Sequence, residues 1–286
     1  MDTITLKAYA KINLFLEVCE KRKDNYHNID SVMQAVTLCD VITVEKHNEI
    51  VLSNSANLPN DKSNLAYKAA ALFFDHTGII GGCKIHIEKN IPISAGLAGG
   101  STDAGAVLRG LNAIYETNLT VDTLCTLGAK LGADVPFCIK GECLITKGIG
   151  DVFEPCPSLP QSFIVIAKNG EGVSTPYAYG EIDKSRESKQ YNYKSSNKIV
   201  ESLKTASLEE ITQNCYNVFE TVVCPIRPMV DEQKKIMYNY NALFSMMSGS
   251  GPSVFGIFKN KDDAEKAVEA LKNIGSDAHL CLPIKK

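Results

Sequence analysis

The stretch 91–102 has the composition of an anion site. It reads Ile-Pro-Ile-Ser-Ala-Gly-Leu-Ala-Gly-Gly-Ser-Thr and contains no charged side chain. Glycine lets backbone N–H groups turn towards a ligand, and a following helix would point its unpaired N–H groups and its positive dipole end the same way. The stretch therefore predicts a cradle for a phosphate, and an ordinary glycine-rich turn between strand and helix is the alternative.

Two polar pairs stand out in the first thirty residues. Lys11 and Asn13 are two residues apart, so a strand would place both side chains on one face. Their small apolar neighbours favour a functional pair, whereas a solvated strand face is the alternative. Tyr26 and His27 end a charged turn and offer a ring to stack and a nitrogen to hydrogen-bond, although they could simply pack the loop against its own sheet.

A carboxylate and a second glycine loop complete the candidates. Asp134 precedes Val135-Pro136, and proline disfavours helical geometry at the residue before it, so Asp134 is expected at a backbone break. It is either a turn or cap residue or a carboxylate held for chemistry. The loop 248–253 carries two glycines that allow close backbone approach, with a hairpin turn as the alternative. Neither glycine loop fits the Gly-Lys-Ser/Thr motif or the dinucleotide fingerprint, so a nucleotide site of another type is expected.

Hydrophobic periodicity predicts the elements that position these residues. Strands are expected at 3–19, as a pair around 41–53, and at 84–88, 142–147, 162–167, 242–247, 254–258 and up to 281. Helices are expected at 64–78 with a cap within 61–63, from about 101 onwards, and at 121–131, 197–213, 228–240 and 262–274. The final elements form the β-β-α-β half of a ferredoxin-like sandwich.

The proline-rich segment 154–160 predicts a boundary between an N-terminal domain, 1–156, and a C-terminal domain, 157–286. Residues 183–197 are polar and lack aliphatic side chains, which predicts a mobile surface segment.

Composition narrows the function classes. The 286 residues are 44% hydrophobic and 22% charged with a net charge of −3, which indicates a globular protein and disfavours nucleic acid or an anionic membrane as partner. No apolar run is long enough to span a membrane, and the N-terminus lacks the pattern of a signal peptide. Ten scattered cysteines favour reduced thiols in a cytoplasm, and five dispersed histidines argue against a metal site.

Five segments together resemble one protein family. Residues 10–14, 92–102 and 249–253 resemble, in order and spacing, the three signature motifs of the GHMP kinase superfamily across nearly the whole chain. The segments Asp-Asn-Tyr-His at 24–27 and Leu-Gly-Ala-Asp-Val-Pro-Phe at 131–137 are similar to the branch whose substrate is a cytidine-diphosphate-linked methylerythritol.

The resemblance implies an α+β, two-domain GHMP kinase fold, with an N-terminal domain like the second domain of ribosomal protein S5 and a C-terminal ferredoxin-like domain. It implies a cytoplasmic kinase that uses ATP, with Mg²⁺ carried by the nucleotide, to phosphorylate the 2-hydroxyl of this substrate in the non-mevalonate isoprenoid pathway. Asp134 would accept the hydroxyl proton, and Lys11 would favour the ionised state of the groups around it.

The remaining site residues implied by the resemblance fall into three groups. Those of the ATP site are Asn64, Lys89, Pro92, Ile93, Ser94, Ala95, Gly96, Leu97, Ala98, Gly99, Gly100, Ser101 and Thr102. Those of the substrate site are Asn13, Tyr26, His27, Thr175 and Tyr179, with two rings flanking the base. The C-terminal glycine loop contributes Gly249, Ser250 and Gly251.

Some positions depart from the family pattern. Asn25 stands where the family has glycine, which asparagine can replace if the turn needs a positive φ. Ala98 also replaces a glycine, and Tyr177 is a rival to Tyr179 for the second ring. Two other functions are the alternatives: another small-molecule kinase of the superfamily, such as a homoserine kinase, and a non-enzymatic RNA-binding module. A monomer or weak homodimer is expected.

Overall fold

Two long strands open the chain, β1 at Thr3–Lys21 and β2 at His27–His47. The computed structural model describes residues 2–187 and 191–285. The chain divides into two compact units. Unit one comprises Met1–Ala10, Leu38–Ile91 and Ala98–Gly141, and unit two comprises Lys11–Thr37, Pro92–Leu97 and Glu142–Lys286. Both strands contribute residues to each unit, and the domain boundary at residue 156 stays a prediction.

Unit one packs helices against the later part of β2. Its further elements are β3 (Val51–Asn54), α1 (Leu65–Thr77), β4 (Gly82–Glu88), α2 (Gly99–Ile114), α3 (Val121–Ala129) and α4 (Val135–Lys140). β4 pairs antiparallel with β2 from Val41 opposite Glu88 to His47 opposite Gly82. The two strands expected around 41–53 do not pair with each other. Instead, β2 pairs with β4, and β3 pairs in parallel with the other edge of β4. The core of this unit includes the fully buried Phe73.

Two candidate site residues, Asn64 and Asp134, lie at the starts of helices in unit one. Asn64 itself caps α1, where its Oδ1 accepts the Ala66 N–H at 3.0 Å, so the cap lies one residue after the expected range. Gly78 ends α1 with φ 68°, as expected. α4 begins at Val135, so the non-helical geometry expected at the residue before Pro136 is wrong, and Asp134 lies at the start of the helix. Pro136 is tolerated there because the first-turn N–H groups of a helix have no intrahelical acceptor.

Unit two contains an antiparallel sheet and a set of helices. Its elements are β5 (Cys143–Lys147), β6 (Val152–Pro155), β7 (Phe163–Lys168), α5 (Thr175–Arg186), α6 (Asn197–Thr205), α7 (Leu208–Gln213), β8 (Tyr216–Asn217), α8 (Glu220–Val223), a 3₁₀ turn (Cys224–Ile226), α9 (Pro228–Asn239), β9 (Phe244–Met247), β10 (Val254–Phe258), α10 (Lys261–Asn273) and β11 (Asp277–Cys281).

The sheet of unit two has the order β11-β7-β10-β9, with all neighbours antiparallel. With helices after β7 and β10, this is the ferredoxin-like arrangement, so the expected β-β-α-β ending is confirmed and β7 completes it. Within the same unit, β5 pairs with β2 and with β6, and β8 pairs in parallel with β1.

Several expected elements of unit two are corrected. The helix expected at 197–213 is two helices, because Ala206 adopts φ 56° and Ser207 then caps α7. β6 occupies the start of the expected proline-rich joint. Helix α5 covers the first part of the segment expected to be a mobile surface, and residues 188–190 of that segment lie outside the described residues. Over residues 2–187 and 191–285, no helix has both the length and the apolar composition that a membrane span requires.

Candidate active site

The glycine-rich stretch has the backbone geometry of an anion site. Ser94, Gly96 and Ala98 have φ angles of 53°, 73° and 61°, so left-handed residues alternate along the loop. In proteins generally, such alternation can turn successive N–H groups towards one side and so bind an anion. The chain then enters α2, whose first-turn N–H groups have no intrahelical acceptor, and no side chain caps this helix.

In unit two, this loop and the C-terminal glycine loop are in direct contact. The Ser248 hydroxyl donates to the Gly96 carbonyl at 3.2 Å. A Cβ on Gly96 would lie 2.3 Å from the Ser248 carbonyl oxygen, and a Cβ on Gly249 would lie 3.0 Å from the Gly96 carbonyl oxygen. Both positions therefore require glycine, and the close approach expected of the 248–253 loop is confirmed. The loop also connects the adjacent strands β9 and β10, as a hairpin does.

Lys11 and Asn13 lie beside these two loops in unit two. The Lys11 backbone N–H donates to the Leu97 carbonyl at 3.2 Å, and its Nζ lies 3.4 Å from the position of a Cβ on Gly249. Lys11 Nζ donates to Asn13 Oδ1 at 2.7 Å, and Asn13 Nδ2 donates to the Ser31 hydroxyl at 3.0 Å. Both residues are buried, so the shared face is confirmed and the solvated-face alternative is wrong.

A second group of predicted residues meets on one face of α5. The Thr175 hydroxyl lies 3.2 Å from the Ser250 hydroxyl, which joins the start of α5 to the C-terminal glycine loop. The Tyr179 ring lies against the His27 ring, with centroids 5.2 Å apart. His27 Nε2 also lies 2.7 Å from Asp183 Oδ1.

The turn before β2 fixes Tyr26 while leaving its ring in solvent. Asn25 has φ 69°, which confirms that asparagine replaces glycine in a left-handed position. The Tyr26 carbonyl accepts the Arg22 N–H at 2.7 Å, yet Tyr26 is 62% exposed. Tyr177 is also exposed, whereas the ring that contacts His27 belongs to Tyr179, and the choice between the two for the second ring stays a prediction.

In unit one, Lys89 lies between two buried carboxylates. Its Nζ donates to Asp40 Oδ2 and, at 3.0 Å, to Asp103 Oδ2. Asp40 Oδ1 in turn accepts the N–H groups of Asn90 and Ile91 at 2.6 and 2.8 Å. The Lys89 ammonium lies 3.3 Å from the position of a Cβ on Gly99, so this charged cluster lies beneath the first turn of α2.

The cluster contains two carboxylates, Asp40 and Asp103, and one ammonium, Lys89, so one carboxylate is not balanced by a positive charge within the cluster. Asp103 Oδ1 is buried and has no partner among the described residues. Burial raises the pKa of Asp103 to about 7, and the neighbouring Asp40 carboxylate raises it further while the Lys89 ammonium opposes the rise. The Asp103 carboxyl therefore holds its proton more tightly than an ordinary aspartate does.

Asp134 directly precedes α4 in unit one. It is half-buried and makes no capping hydrogen bond with its side chain. Asp134 is nevertheless the N-cap residue of α4 and its carbonyl accepts the Cys138 N–H at 3.1 Å, so its position fits the cap alternative. In the described parts of the chain, no group of three or more His, Cys, Asp or Glu side chains is arranged to hold a metal ion.

Comparison with known proteins decides the family. The model of the GHMP kinases N terminal domain matches residues 64–142, and the GHMP kinases C terminal model matches residues 199–277. A 4-diphosphocytidyl-2-C-methyl-D-erythritol kinase from Caldicellulosiruptor saccharolyticus is 48% identical over 270 residues, which cover 93% of this chain and 92% of the relative. The chain belongs to the 4-diphosphocytidyl-2-C-methyl-D-erythritol kinase family.

Solved structures agree with the family assignment. A crystal structure of a 4-(cytidine 5'-diphospho)-2C-methyl-D-erythritol kinase is 31% identical with a TM-score of 0.83, and the match covers 99% of this chain and 100% of that one. A homoserine kinase from Cytophaga hutchinsonii is 18% identical with a TM-score of 0.75 over 99% and 95% of the two chains, which shows a shared fold alone. The expected α+β GHMP kinase fold is confirmed, and the chain is an ATP-dependent phosphotransferase with an alcohol acceptor.

Sequence analysis did not single out three carboxylates that make ion pairs in the structure, Asp40 and Asp103 in unit one and Asp183 in unit two. Asp40 interrupts an apolar strand and Asp103 interrupts an alanine- and glycine-rich helix, so a lone charge in apolar surroundings was the available signal. Asp183 is eight residues after Thr175, on the same helical face as Tyr179. That spacing becomes informative once 175–186 is known to be a helix.

Proposed function

We propose that this kinase transfers the terminal phosphoryl group of ATP to the 2-hydroxyl of 4-diphosphocytidyl-2-C-methyl-D-erythritol in the non-mevalonate isoprenoid pathway. One observation carries the proposal: Lys11, the loop at Gly96 and the loop at Gly249 come from distant parts of the sequence and lie in contact within unit two. A buried lysine beside two glycine-rich loops suits the binding and transfer of a phosphoryl group.

The donor nucleotide is assigned to residues 92–102 and the start of α2. The alternating left-handed residues support this assignment because they direct N–H groups towards the ATP phosphates. Magnesium enters the reaction with ATP, as part of the nucleotide substrate. Asn64 and Lys89 are assigned to the adenine pocket. Since the Lys89 ammonium already binds two carboxylates, we assign it to the pocket wall and not to a hydrogen bond with the base.

Asp134 and Lys11 are assigned to the chemical step. Asp134 accepts the proton of the 2-hydroxyl as that oxygen bonds to the terminal phosphorus, and the bond between this phosphorus and the bridging oxygen breaks to release ADP. A carboxylate without a capping hydrogen bond keeps both oxygens available for this proton. The Lys11 ammonium stabilises the negative charge that develops.

The acceptor substrate is assigned to Asn13, Tyr26, His27, Thr175 and Tyr179. The two tyrosine rings would flank the cytosine, and the polar groups would hold the cytidine diphosphate. The contact of Tyr179 with His27 and of Thr175 with the C-terminal glycine loop supports a common site for this group.

The location and the binding partners of the enzyme are proposed from its composition. The cysteines are free thiols, which suits a reducing cytoplasm. A net charge of −3 gives no support for nucleic acid or an anionic membrane as partner. We propose a monomer or weak homodimer that binds ATP and the cytidyl substrate.

A phosphorylation assay tests the proposal. The cytidyl substrate and its uncytidylated analogue are compared with ATP and Mg²⁺ under identical conditions. We expect turnover of the cytidyl substrate and little or none of the analogue. Equal turnover of both would refute the substrate assignment, and preferred turnover of homoserine would favour the other kinase of the superfamily.

A further inference from the structure

Two cysteines of unit two lie opposite each other on neighbouring stretches of chain. β5 and β6 pair antiparallel, and Leu144 is opposite Pro155 at the end of the ladder. The same register, continued by one residue, places Cys143 opposite Cys156. Directly opposite residues point to the same face and have Cα atoms about 4.5–5.5 Å apart, which lies within the range that a disulfide spans.

A hydrogen bond joins the two thiols. This contact raises the pKa of Cys143 and lowers the pKa of Cys156, so the Cys143 S–H donates and the Cys156 sulfur accepts. Both residues are free thiols in the structure. Cys143 is 2% exposed whereas Cys156 is half-buried, so a small solute reaches the Cys156 sulfur more readily.

The surroundings of Cys156 favour its thiolate form. The hydrogen bond from Cys143 lowers the pKa of Cys156 below its ordinary value, burial opposes this fall, and the Lys204 ammonium adds to it. Burial instead raises the pKa of Cys83 and of Cys224 to about 12. Because the thiolate is the nucleophilic form of cysteine, Cys156 is expected to react with an electrophile before Cys83 and Cys224 do.

We propose that Cys143 and Cys156 form a peroxide-responsive pair, in which Cys156 is the reacting thiol and Cys143 is the resolving thiol of a reversible disulfide. The oxidant is hydrogen peroxide. The inference does not rest on the proposed function, because neither thiol is assigned to ATP or to the substrate.

The oxidation proceeds in two steps. The Cys156 thiolate attacks one oxygen of hydrogen peroxide, the O–O bond breaks, and a sulfenic acid and hydroxide form. The Cys143 sulfur then attacks the Cys156 sulfur, the S–S bond forms, the S–O bond breaks, and the departing hydroxide takes the Cys143 proton as water. The hydrogen bond to Cys156 is the largest cause of the raised pKa of Cys143, so the loss of the thiolate in the first step eases deprotonation of Cys143 in the second.

Peptide mapping of the wild-type protein after peroxide treatment tests the pair directly. Trypsin cleaves after Lys147, between the two cysteines, so the disulfide would join the peptides 141–147 and 148–168. The joined product should be about 2 Da lighter than the two peptides together, and dithiothreitol should separate it again. If other thiols were oxidised while Cys143 and Cys156 stayed reduced, the inference would fail.

Three variants assign the roles within the pair. Cys156→Ser is expected to slow oxidation of Cys143 at least about tenfold. Cys143→Ser keeps a hydrogen-bond donor but cannot form the disulfide, so dimedone should capture a sulfenic acid at Cys156. Cys224→Ser is the matched control, since Cys224 is a half-buried thiol of the same unit, and should form the disulfide at a rate within about twofold of the wild type.

The opposite results would overturn the assignment. Cys143 oxidised as fast in Cys156→Ser as in the wild type, or no sulfenic acid captured in Cys143→Ser, would each contradict Cys156 as the reacting thiol. The peptide map of the wild type needs no substitution, so it decides whether the disulfide forms even if a variant fails to fold.

The pH dependence of alkylation gives a readout that needs no oxidant. With iodoacetamide as the probe, the alkylation rate of Cys156 should reach half its maximum at a lower pH than that of Cys224. Cys143→Val removes the hydrogen-bond donor and should move the Cys156 profile to higher pH. A Cys156 profile at the same pH as that of Cys224, or one unchanged by Cys143→Val, would contradict activation of Cys156 by Cys143.

Discussion

At the scale of single residues, the Asp134 carboxylate is the group to which we assign proton transfer. Asp134→Asn keeps the size of the side chain and removes its basicity, so we expect kcat to fall by about 10²–10⁴-fold. ATP affinity, measured by calorimetry on the same variant, should change by less than about threefold.

The matched control for Asp134 is Asp122→Asn, because Asp122 is an aspartate of the same unit whose side chain is 89% exposed. It is expected to keep wild-type kcat. If Asp134→Asn retained activity within a few-fold of the wild type, Asp134 would not be the base.

Tyr26 offers a test of base stacking at the same scale. Its ring is largely exposed and its backbone is fixed by the turn, so removing the ring should leave the fold unchanged. Tyr26→Ala is expected to weaken substrate binding by about 1–3 kcal/mol, as for other base–aromatic contacts, and to raise KM accordingly. Tyr26→Phe, which keeps the ring, should have a KM near that of the wild type. Equal KM values in all three proteins would show that the ring does not stack on the substrate.

At the scale of elements, we expect the proposed ATP site to depend on the contact between the two glycine loops. Gly96→Ala would place a Cβ 2.3 Å from the Ser248 carbonyl oxygen and would strain a residue with φ 73°. We expect the loops to separate and kcat/KM for ATP to fall at least about tenfold, since small misplacements of binding groups are costly in a transfer site.

Gly78→Ala separates backbone strain from steric clash. Gly78 has a similar φ of 68° at the end of α1, but a Cβ there would meet nothing within 4 Å. It should lose only about 1 kcal/mol of stability and keep wild-type activity. Similar kinetic losses in both variants would indicate that the contact between the loops has no special importance.

Helix α5, which carries the proposed substrate residues Thr175 and Tyr179, was not predicted from the sequence. The helix contains few aliphatic side chains, and its buried residues are Ala178 and Ile182. Polar contacts hold it instead, through Thr175, Asp183 and Arg186. Hydrophobic periodicity cannot detect a helix that is held in this way.

At the scale of the whole molecule, the buried cluster at Lys89 links stability to pH. The pKa of Asp103 is raised to about 7 from an unfolded value of 3.8, so the folded chain binds this proton more tightly than the unfolded chain. Stability contributed by this group is therefore present at low pH, falls as pH rises from about 4 to 7, and changes little above that range.

Asp103→Asn should remove this part of the pH dependence. We expect the thermal midpoint of the variant to decline less between pH 4.5 and 8 than that of the wild type. Asp122→Asn, with its exposed side chain, should retain the wild-type slope. An unchanged slope in Asp103→Asn would mean that Asp103 does not titrate in this range.

The division of the molecule into units also belongs to this scale. Segments of the two units alternate along the first 141 residues, with 92–97 assigned to unit two between stretches of unit one. Periodicity and proline content describe local chain properties, so they can suggest a boundary such as 156 but cannot reveal an alternation that arises from long-range contacts.

The sequence by itself determined the family motifs, the face shared by Lys11 and Asn13, and the left-handed position of Asn25, because these depend on local spacing and residue type. Only the tertiary structure decided that the Gly96 and Gly249 loops touch, since a contact across about 150 residues leaves no local pattern. It also decided the partners of His27 and Lys89. A charge is buried only where a distant partner compensates it, and the chain fold alone selects that partner.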